Sequence, residues 1–268
     1  FRVFRFDAVL LAAREDQAGA DEGYEVKARL LVFVLGAILA GEAAFAQEEV
    51  ELEPAHSNVA NTASLQRGAK YFVNYCLGCH SAKYVRYNRL GRDLQLTDDQ
   101  VVKNLMFTGA HPYDTMTNAM KPADAARWFG KPPPDLSLIA RARGTAYLYT
   151  YLRSFYADPS RPTGANNLVL PNTAMPDVVW ELQGIQHAKF STDEHGMQKF
   201  GGFETVTQGT MSPAEFDQAV RDIVNFLDYI GEPIKREREA LGIRVIAFLL
   251  VFLLIAYLLK KEIWKDVE

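Results

Sequence analysis

The sequence is poor in cysteine: 268 residues contain two, Cys76 and Cys79, and both fall in one short motif. No second pair is left for a disulfide framework, so the rigidity of the fold must come from packing and hydrogen bonds. An excess of one charge is also missing, with 29 Lys and Arg against 33 Asp and Glu. A general nucleic-acid binder would show a basic surplus or stripe, and no nucleic acid partner is expected. No internal repeat is present. Apolar residues are not scarce: at 49% hydrophobic and 23% charged, the composition is that of a folded chain and not a disordered one.

Long uncharged runs are few and lie toward the ends. Lys27 and Arg29 precede an apolar stretch over residues 30–39, and Ala44 and Ala46 form an A-x-A pattern before Gln47. A stretch this short cannot cross about 30 Å of hydrocarbon at about 1.5 Å per residue, so residues 27–46 read as a cleavable export signal. The mature protein is then expected to begin near Gln47, and residues 1–26 fit no pattern and stay unassigned. Residues 245–259 carry no charge, and the run extends back to 241 with only Arg244 interrupting. As a helix, residues 241–259 reach about 28 Å, which predicts a single transmembrane anchor over 241–260 and a tail over 261–268. Arg244 can snorkel to one interface and Trp264 suits the other. Lys235, Arg236 and Arg238 before the span balance Lys260, Lys261 and Lys265 after it, so the export signal sets the orientation. It leaves the body, 47–240, outside and the tail in the cytoplasm. The expected location is a bacterial cytoplasmic (inner) membrane, with the body in the periplasm.

Between the ends the pattern is helical. Asn61-Thr62-Ala63-Ser64 supplies capping side chains, and Leu65, Ala69, Phe72 and Val73 follow at helical spacing. Thr97 and Gln100 make a capping box ahead of Val101, Val102, Leu105 and Met106. Ser212, Pro213 and Glu215 make another before Phe216, Val220, Ile223, Val224, Leu227 and Ile230. Gly231 is expected to stop that helix and Pro233 to open the helix that becomes the anchor. Residues 130–136 (Gly-Lys-Pro-Pro-Pro-Asp-Leu) must be a stiff connector of polyproline character. Residues 157–175, with prolines at 159, 162 and 171 and another just beyond at 176, are expected to form a second long loop.

The motif Cys76-Leu77-Gly78-Cys79-His80 carries the chemistry. Cysteines three apart on a helix lie on one face and can add to the two vinyl groups of a porphyrin, and the following histidine can bind iron from one side. A thioredoxin-type redox pair needs a βαβ setting and structural zinc needs four ligands, and neither context is present. The pattern predicts one haem c, covalently attached through Cys76 and Cys79, with His80 on the iron.

A second axial ligand must come from downstream: Met106, Met116, Met120, Met175, Met197, Met211, His111, His187 or His195. Most of these are expected to be packing or surface residues. Met175 stands apart because Pro171 and Pro176 pin its loop, which can then hold a thioether without a helix behind it. A His80 and Met175 pair closes both axial positions, which suits electron transfer. Buried haem propionates need cationic or hydroxyl partners, for which Arg141, Arg143 and Tyr147 are candidates. Solvated arginines at a helix end are an equal reading of the first two.

Taken in order, Tyr75-Cys76-Leu77-Gly78-Cys79-His80-Ser81, Tyr84-Val85-Arg86-Tyr87, Pro133-Pro134-Asp135-Leu136-Ser137, Arg141-Ala142-Arg143, Ala174-Met175-Pro176, Trp180-Glu181 and the C-terminal anchor resemble the cytochrome c1 family. The resemblance covers roughly residues 60–265. It implies a mainly α, cytochrome-c-like haem domain with long Pro-rich loops plus one C-terminal transmembrane helix. It further implies His80 and Met175 as axial ligands, Arg143 at a propionate, and Tyr147 and Pro134 lining the pocket. The family's haem takes electrons from a Rieske iron-sulfur protein and passes them to a c-type cytochrome, beside cytochrome b, within a quinol:cytochrome c oxidoreductase. Some relatives stiffen a loop with an additional cysteine pair, which this chain lacks, so its Met175 loop is expected to be held by packing and proline. The acidic run Glu48, Glu49, Glu51 and Glu53 reads first as a solvated end and second as a docking patch for a basic partner. No nucleophile, acid and base converge elsewhere, so substrate chemistry of its own is not expected. Two alternatives stay open: an anchored carrier serving another respiratory enzyme, and a haem sensor or catalyst with an open axial site.

Overall fold

A computed structural model of the chain describes residues 50–192 and 198–266. The expected signal, the segment upstream of it, Glu48, Glu49, His195 and Met197 lie outside the described residues. In chain order the elements are α1 (Thr62–Tyr71), a π-helical turn (Phe72–Cys76), β1 (Ala82–Arg86), α2 (Tyr87–Asp93), α3 (Asp98–Asn104), β2 (Thr115–Met116), α4 (Pro122–Phe129), α5 (Ile139–Arg143) and α6 (Thr145–Arg153). Then follow β3 (Phe155–Ala157), β4 (Ala165–Asn167), α7 (Trp180–Gln183), β5 (Gly184–Thr192), β6 (Gln198–Gln208), α8 (Pro213–Gly231), α9 (Lys235–Ile263) and a 3₁₀ turn (Trp264–Asp266).

The core is built where α1 crosses α8. Asn61 caps α1 by accepting the Ser64 N–H at 3.1 Å, and Leu65, Gly68 and Ala69 face inward. Gly68 permits the close approach, because a Cβ there would sit 2.1 Å from the Asp222 carbonyl oxygen. Phe72 and Phe226 meet beside it with ring centroids 5.4 Å apart. The buried Asp222 carboxylate is satisfied by Arg67 Nε at 2.6 Å, Ser64 Oγ at 2.6 Å and Gln218 Nε2 at 2.9 Å. A buried charge is tolerated only when paired and hydrogen-bonded in this way. Helices α5 and α6 also pack on α8, and Leu77, Leu90, Leu94 and Met116 fill the interior.

Both capping boxes form as the sequence predicts, at Thr97 with Gln100 and at Ser212 with Glu215. Ser212 N donates to Glu215 Oε2 at 2.9 Å, and Pro213 occupies the first turn, where no N–H is needed. Ser212→Ala is expected to cost about 1 kcal/mol, read as a lower unfolding midpoint with unchanged haem spectra. Helix α8 ends at Gly231, but α9 begins only at Lys235, so Pro233 lies in the turn and does not open the helix. Side chains hold that turn: Lys235 Nζ contacts Asp228 Oδ2 at 2.9 Å, and Glu232 pairs with both Arg141 and Arg238. Helix α9 runs for 29 residues and is long and apolar enough to cross a membrane.

Residues 131–136 are irregular, as the three consecutive prolines require. The loop expected over 157–175 is not structureless, since β4 folds back on β3 with Ala157 opposite Ala165. The β5–β6 hairpin is not expected from the sequence at all. Phe190 faces Phe200 and Ala188 faces Phe203 across it, and Tyr156, Phe190, Phe200 and Phe203 form an edge-to-face aromatic chain on it.

Candidate functional site

The cysteine motif does not sit on a regular α-helix. Helix α1 widens into the π turn, whose register shows in the Leu77 N–H bonding the Phe72 carbonyl at 2.9 Å. Such turns are frequent at functional sites. A tight turn succeeds it, with the N–H groups of Cys79 and His80 both reaching the Cys76 carbonyl, at 3.0 and 2.8 Å. Asn118 clasps the far side: its Nδ2 donates to the Cys79 carbonyl, and its N–H reaches Ser81 Oγ at 3.0 Å.

Neither cysteine is paired in a disulfide, and Cys76 is buried and Cys79 half-buried. Burial pushes the Cys76 thiol up to about 12 and raises Cys79 as well. A reactive or metal-binding pair needs the thiolate, which this setting disfavours. Among the described residues no group of three or more His, Cys, Asp and Glu is placed to hold a metal ion.

His80 is oriented by the proline connector. Its Nδ1 lies 2.7 Å from the Pro134 carbonyl, a contact that places the proton on Nδ1 and leaves the Nε2 lone pair for a metal. Burial pulls the ring's pKa down, partly offset by the Pro134 carbonyl and the Asp135 charge, so the imidazole is neutral and able to ligate. Burial pushes the Asp135 carboxyl up, but hydrogen bonds from Ser137 and the Lys83 N–H outweigh it and lower its pKa. Asp135 also ties the connector to β1, accepting the Lys83 N–H at 3.0 Å and the Ser137 N–H at 2.9 Å.

Met175 is half-buried against the core in the loop between β4 and α7. The Tyr151 hydroxyl donates to its Sδ at 3.4 Å. Tyr151 stacks on Tyr147 at 6.0 Å and 8°, and burial pushes its hydroxyl up to about 12, which keeps it protonated. Asp177, two residues beyond Met175, is pushed up to about 6 by burial while accepting the Val179 N–H at 3.0 Å.

The arginine candidates part company. Arg141 is drawn to Glu232, whereas Arg143 is exposed and its guanidinium lies 5.4 Å from the Tyr147 ring centroid. Among the ligand candidates, Met116 is fully buried packing, Met106 and Met211 pack on the core, and His111 and His187 are surface residues. Glu53 is not a free docking charge, because it pairs with Arg153.

Reading from sequence missed Tyr151, Asn118 and two buried asparagines, Asn166 and Asn167, that hold the Met175 loop. Asn167 Oδ1 accepts the N–H groups of Val169 and Leu170 at 2.9 and 3.2 Å, and its Nδ2 reaches the Tyr151 carbonyl at 2.8 Å. Asn166 Oδ1 accepts the Asn172 N–H at 2.8 Å. Polar clamps thus hold the loop in addition to packing and proline. The available signal was the Asn-Asn pair inside an apolar stretch and the four-residue spacing of Tyr147 and Tyr151.

The donor set fits a haem: two unpaired thiols, a neutral imidazole with one nitrogen fixed, a thioether, and half-buried Leu136, Ile139, Tyr147 and Val178 packed on the core. The model of the Cytochrome C1 family matches residues 55–267. The cytochrome c1 of Allochromatium vinosum is 50% identical over 219 residues, covering 81% of this chain and 90% of that protein. The ammonia monooxygenase gamma subunit of Nitrosomonas europaea is 44% identical over 242 residues, covering 90% of this chain and 100% of its own. The cytochrome c1 of Rhodospirillum rubrum is 29% identical over 238 residues, 76% and 82% of the two chains. With half of the 219 aligned residues identical to one relative, and a family match running from ahead of α1 through the apolar α9, this chain belongs to the cytochrome c1 family.

Proposed function

We propose that this protein is a membrane-anchored electron carrier that moves single electrons from a Rieske iron-sulfur protein to a c-type cytochrome, beside cytochrome b in a quinol:cytochrome c oxidoreductase. Haem c, held covalently by Cys76 and Cys79, supplies one reversible single-electron step at iron when bound. Every other task falls to the chain. His80 offers Nε2 as the proximal ligand, and the Pro134 carbonyl fixes its tautomer and ring plane. Met175 would offer its thioether as the second ligand, which would suit a haem that carries electrons and does not bind added ligands. Arg143 and Tyr147 lie beside each other, and a guanidinium and a phenol would suit propionate oxygens. Helix α9 anchors the body, with residues 47–240 on the periplasmic side and the tail in the cytoplasm.

The observation that supports this reading is the Pro134 contact, because it occupies Nδ1 of His80 and leaves Nε2 available to a metal. The test is purification of the full chain in detergent. We expect one haem per chain that resists acid-acetone extraction, and co-purification with cytochrome b and a Rieske protein. Haem that washes out would defeat the covalent assignment. Recovery with monooxygenase subunits instead would move the carrier to the assembly named for the Nitrosomonas europaea relative.

A further inference from the structure

We infer that the Tyr151 hydroxyl, by donating to the Met175 thioether, raises the reduction potential of the site. The inference rests on the reading of Met175 as the second axial ligand.

The geometry is a closed ring of hydrogen bonds that begins and ends on Met175. Its N–H donates to Thr173 Oγ1 at 3.4 Å, Thr173 Oγ1 lies 3.1 Å from the Tyr151 hydroxyl, and that hydroxyl donates to Met175 Sδ at 3.4 Å. A phenol has one proton. With the Thr173 hydroxyl donating to the Tyr151 oxygen, the phenol proton is left for sulfur, and each bond polarises the next. Thr173 is itself buried, so water does not substitute for it.

The donor is placed by packing, independently of what the sulfur does. The Tyr151 ring stacks on Tyr147 and meets Phe155 edge-on at 5.1 Å and 72°. Its backbone carbonyl is held by Asn167 Nδ2 at 2.8 Å. The hydroxyl is therefore a fixed dipole with its positive end toward the sulfur.

A thioether sulfur has two lone pairs, of which one can face iron while the other accepts this bond. Density withdrawn from sulfur, and a positive dipole end near the metal, both disfavour the extra positive charge of the oxidised state. Hydrogen bonding of this kind around an axial ligand is a recognised lever on potential. Tyr151 is thus a positioning residue acting through Met175.

The test is Tyr151→Phe in the full-length, haem-loaded protein in detergent, which keeps the ring stack and deletes the hydroxyl. The reduction equilibrium constant should fall about threefold to tenfold, which is roughly 28 to 59 mV at 59 mV per decade for one electron. The reduced variant should still exclude carbon monoxide. Thr173→Val should lower the midpoint by less, because the phenol keeps its sulfur but loses its polarising neighbour. An unchanged or raised midpoint in Tyr151→Phe, with carbon monoxide still excluded, overturns the inference and leaves Met175 ligation intact. Carbon monoxide binding by the variant alone also overturns it, since the hydroxyl would then retain the ligand and not tune it. Binding by the unmodified protein removes Met175 ligation and the inference with it. If Tyr151→Phe takes up no haem, Thr173→Val decides: a lowered midpoint supports the inference and an unchanged one refutes it.

Discussion

Met175→Leu is expected to open the second axial position, so that the reduced protein binds carbon monoxide and its midpoint falls by more than about 59 mV, a tenfold change in the reduction equilibrium constant. Leucine and methionine are close in volume, and such swaps usually cost less than about 1.5 kcal/mol. The loop should therefore survive, held by Asn166 and Asn167 and not by the thioether. Loss of the sulfur is then felt at the metal and not in the fold. Met106→Leu and Met211→Leu serve as controls, since both side chains pack on the core and should leave potential and carbon monoxide exclusion unchanged. A Met175→Leu protein with its original midpoint, still closed to carbon monoxide, would remove Met175 from the iron.

The contrast between those methionines shows what sequence alone could resolve. Met175 was separable from its rivals because two prolines bracket it, a covalent restriction that needs no tertiary context. The capping boxes at Thr97 and Ser212 were legible for the same reason, as each is complete within four residues. Arg141 and Arg143 were not separable, because what distinguishes them is Glu232, which lies 91 positions away in sequence from Arg141. The start of α9 was misplaced by two residues for a related reason: Asp228 and Glu232 gather Lys235 and Arg238 around the turn, a preference that outweighs the one for Pro at the first helical position.

The π turn was hidden because it differs from an α-helix only in which carbonyl each N–H chooses, and Phe72-Val73-Asn74-Tyr75-Cys76 carries no residue that forces the choice. The β5–β6 hairpin was hidden for another reason. Its strands carry glycines at 201 and 202, their register slips at two places, and most of the side chains on both faces stay exposed. Burial alternates with period two only over residues 184–189, where the inward positions are Gly184, Gln186 and Ala188 and Ile185 points outward, so the apolar pattern does not follow it. Its aromatic residues cluster with one another and with Tyr156 and not with the main core, so no apolar face announces itself in the sequence.

Asn167→Ala is expected to destabilise the protein by about 1–3 kcal/mol, because one buried side chain gives up four hydrogen bonds together. Asn167 is fully buried. Truncation removes the acceptor of the Val169 and Leu170 N–H groups, and it costs the Ser154 hydroxyl and the Tyr151 carbonyl one partner each, although these two keep one another at 3.3 Å. The damage should be local before it is global. These groups bracket Met175 on one side and anchor Tyr151 on the other, whereas the α1–α8 crossing makes no use of Asn167. In a urea titration, the axial-ligand signature of the oxidised haem should therefore disappear ahead of the helical signal, where the unmodified protein loses both together. Asn172→Gly supplies the comparison. Asn172 sits at φ 63°, a left-handed backbone that glycine adopts without strain, and it contributes to the clamp through its N–H, which glycine keeps. That variant should match the parent in both transitions. Coincident transitions in Asn167→Ala would mean that the Met175 loop and the helical core unfold as one unit, and that the clamp is not what holds the thioether in place.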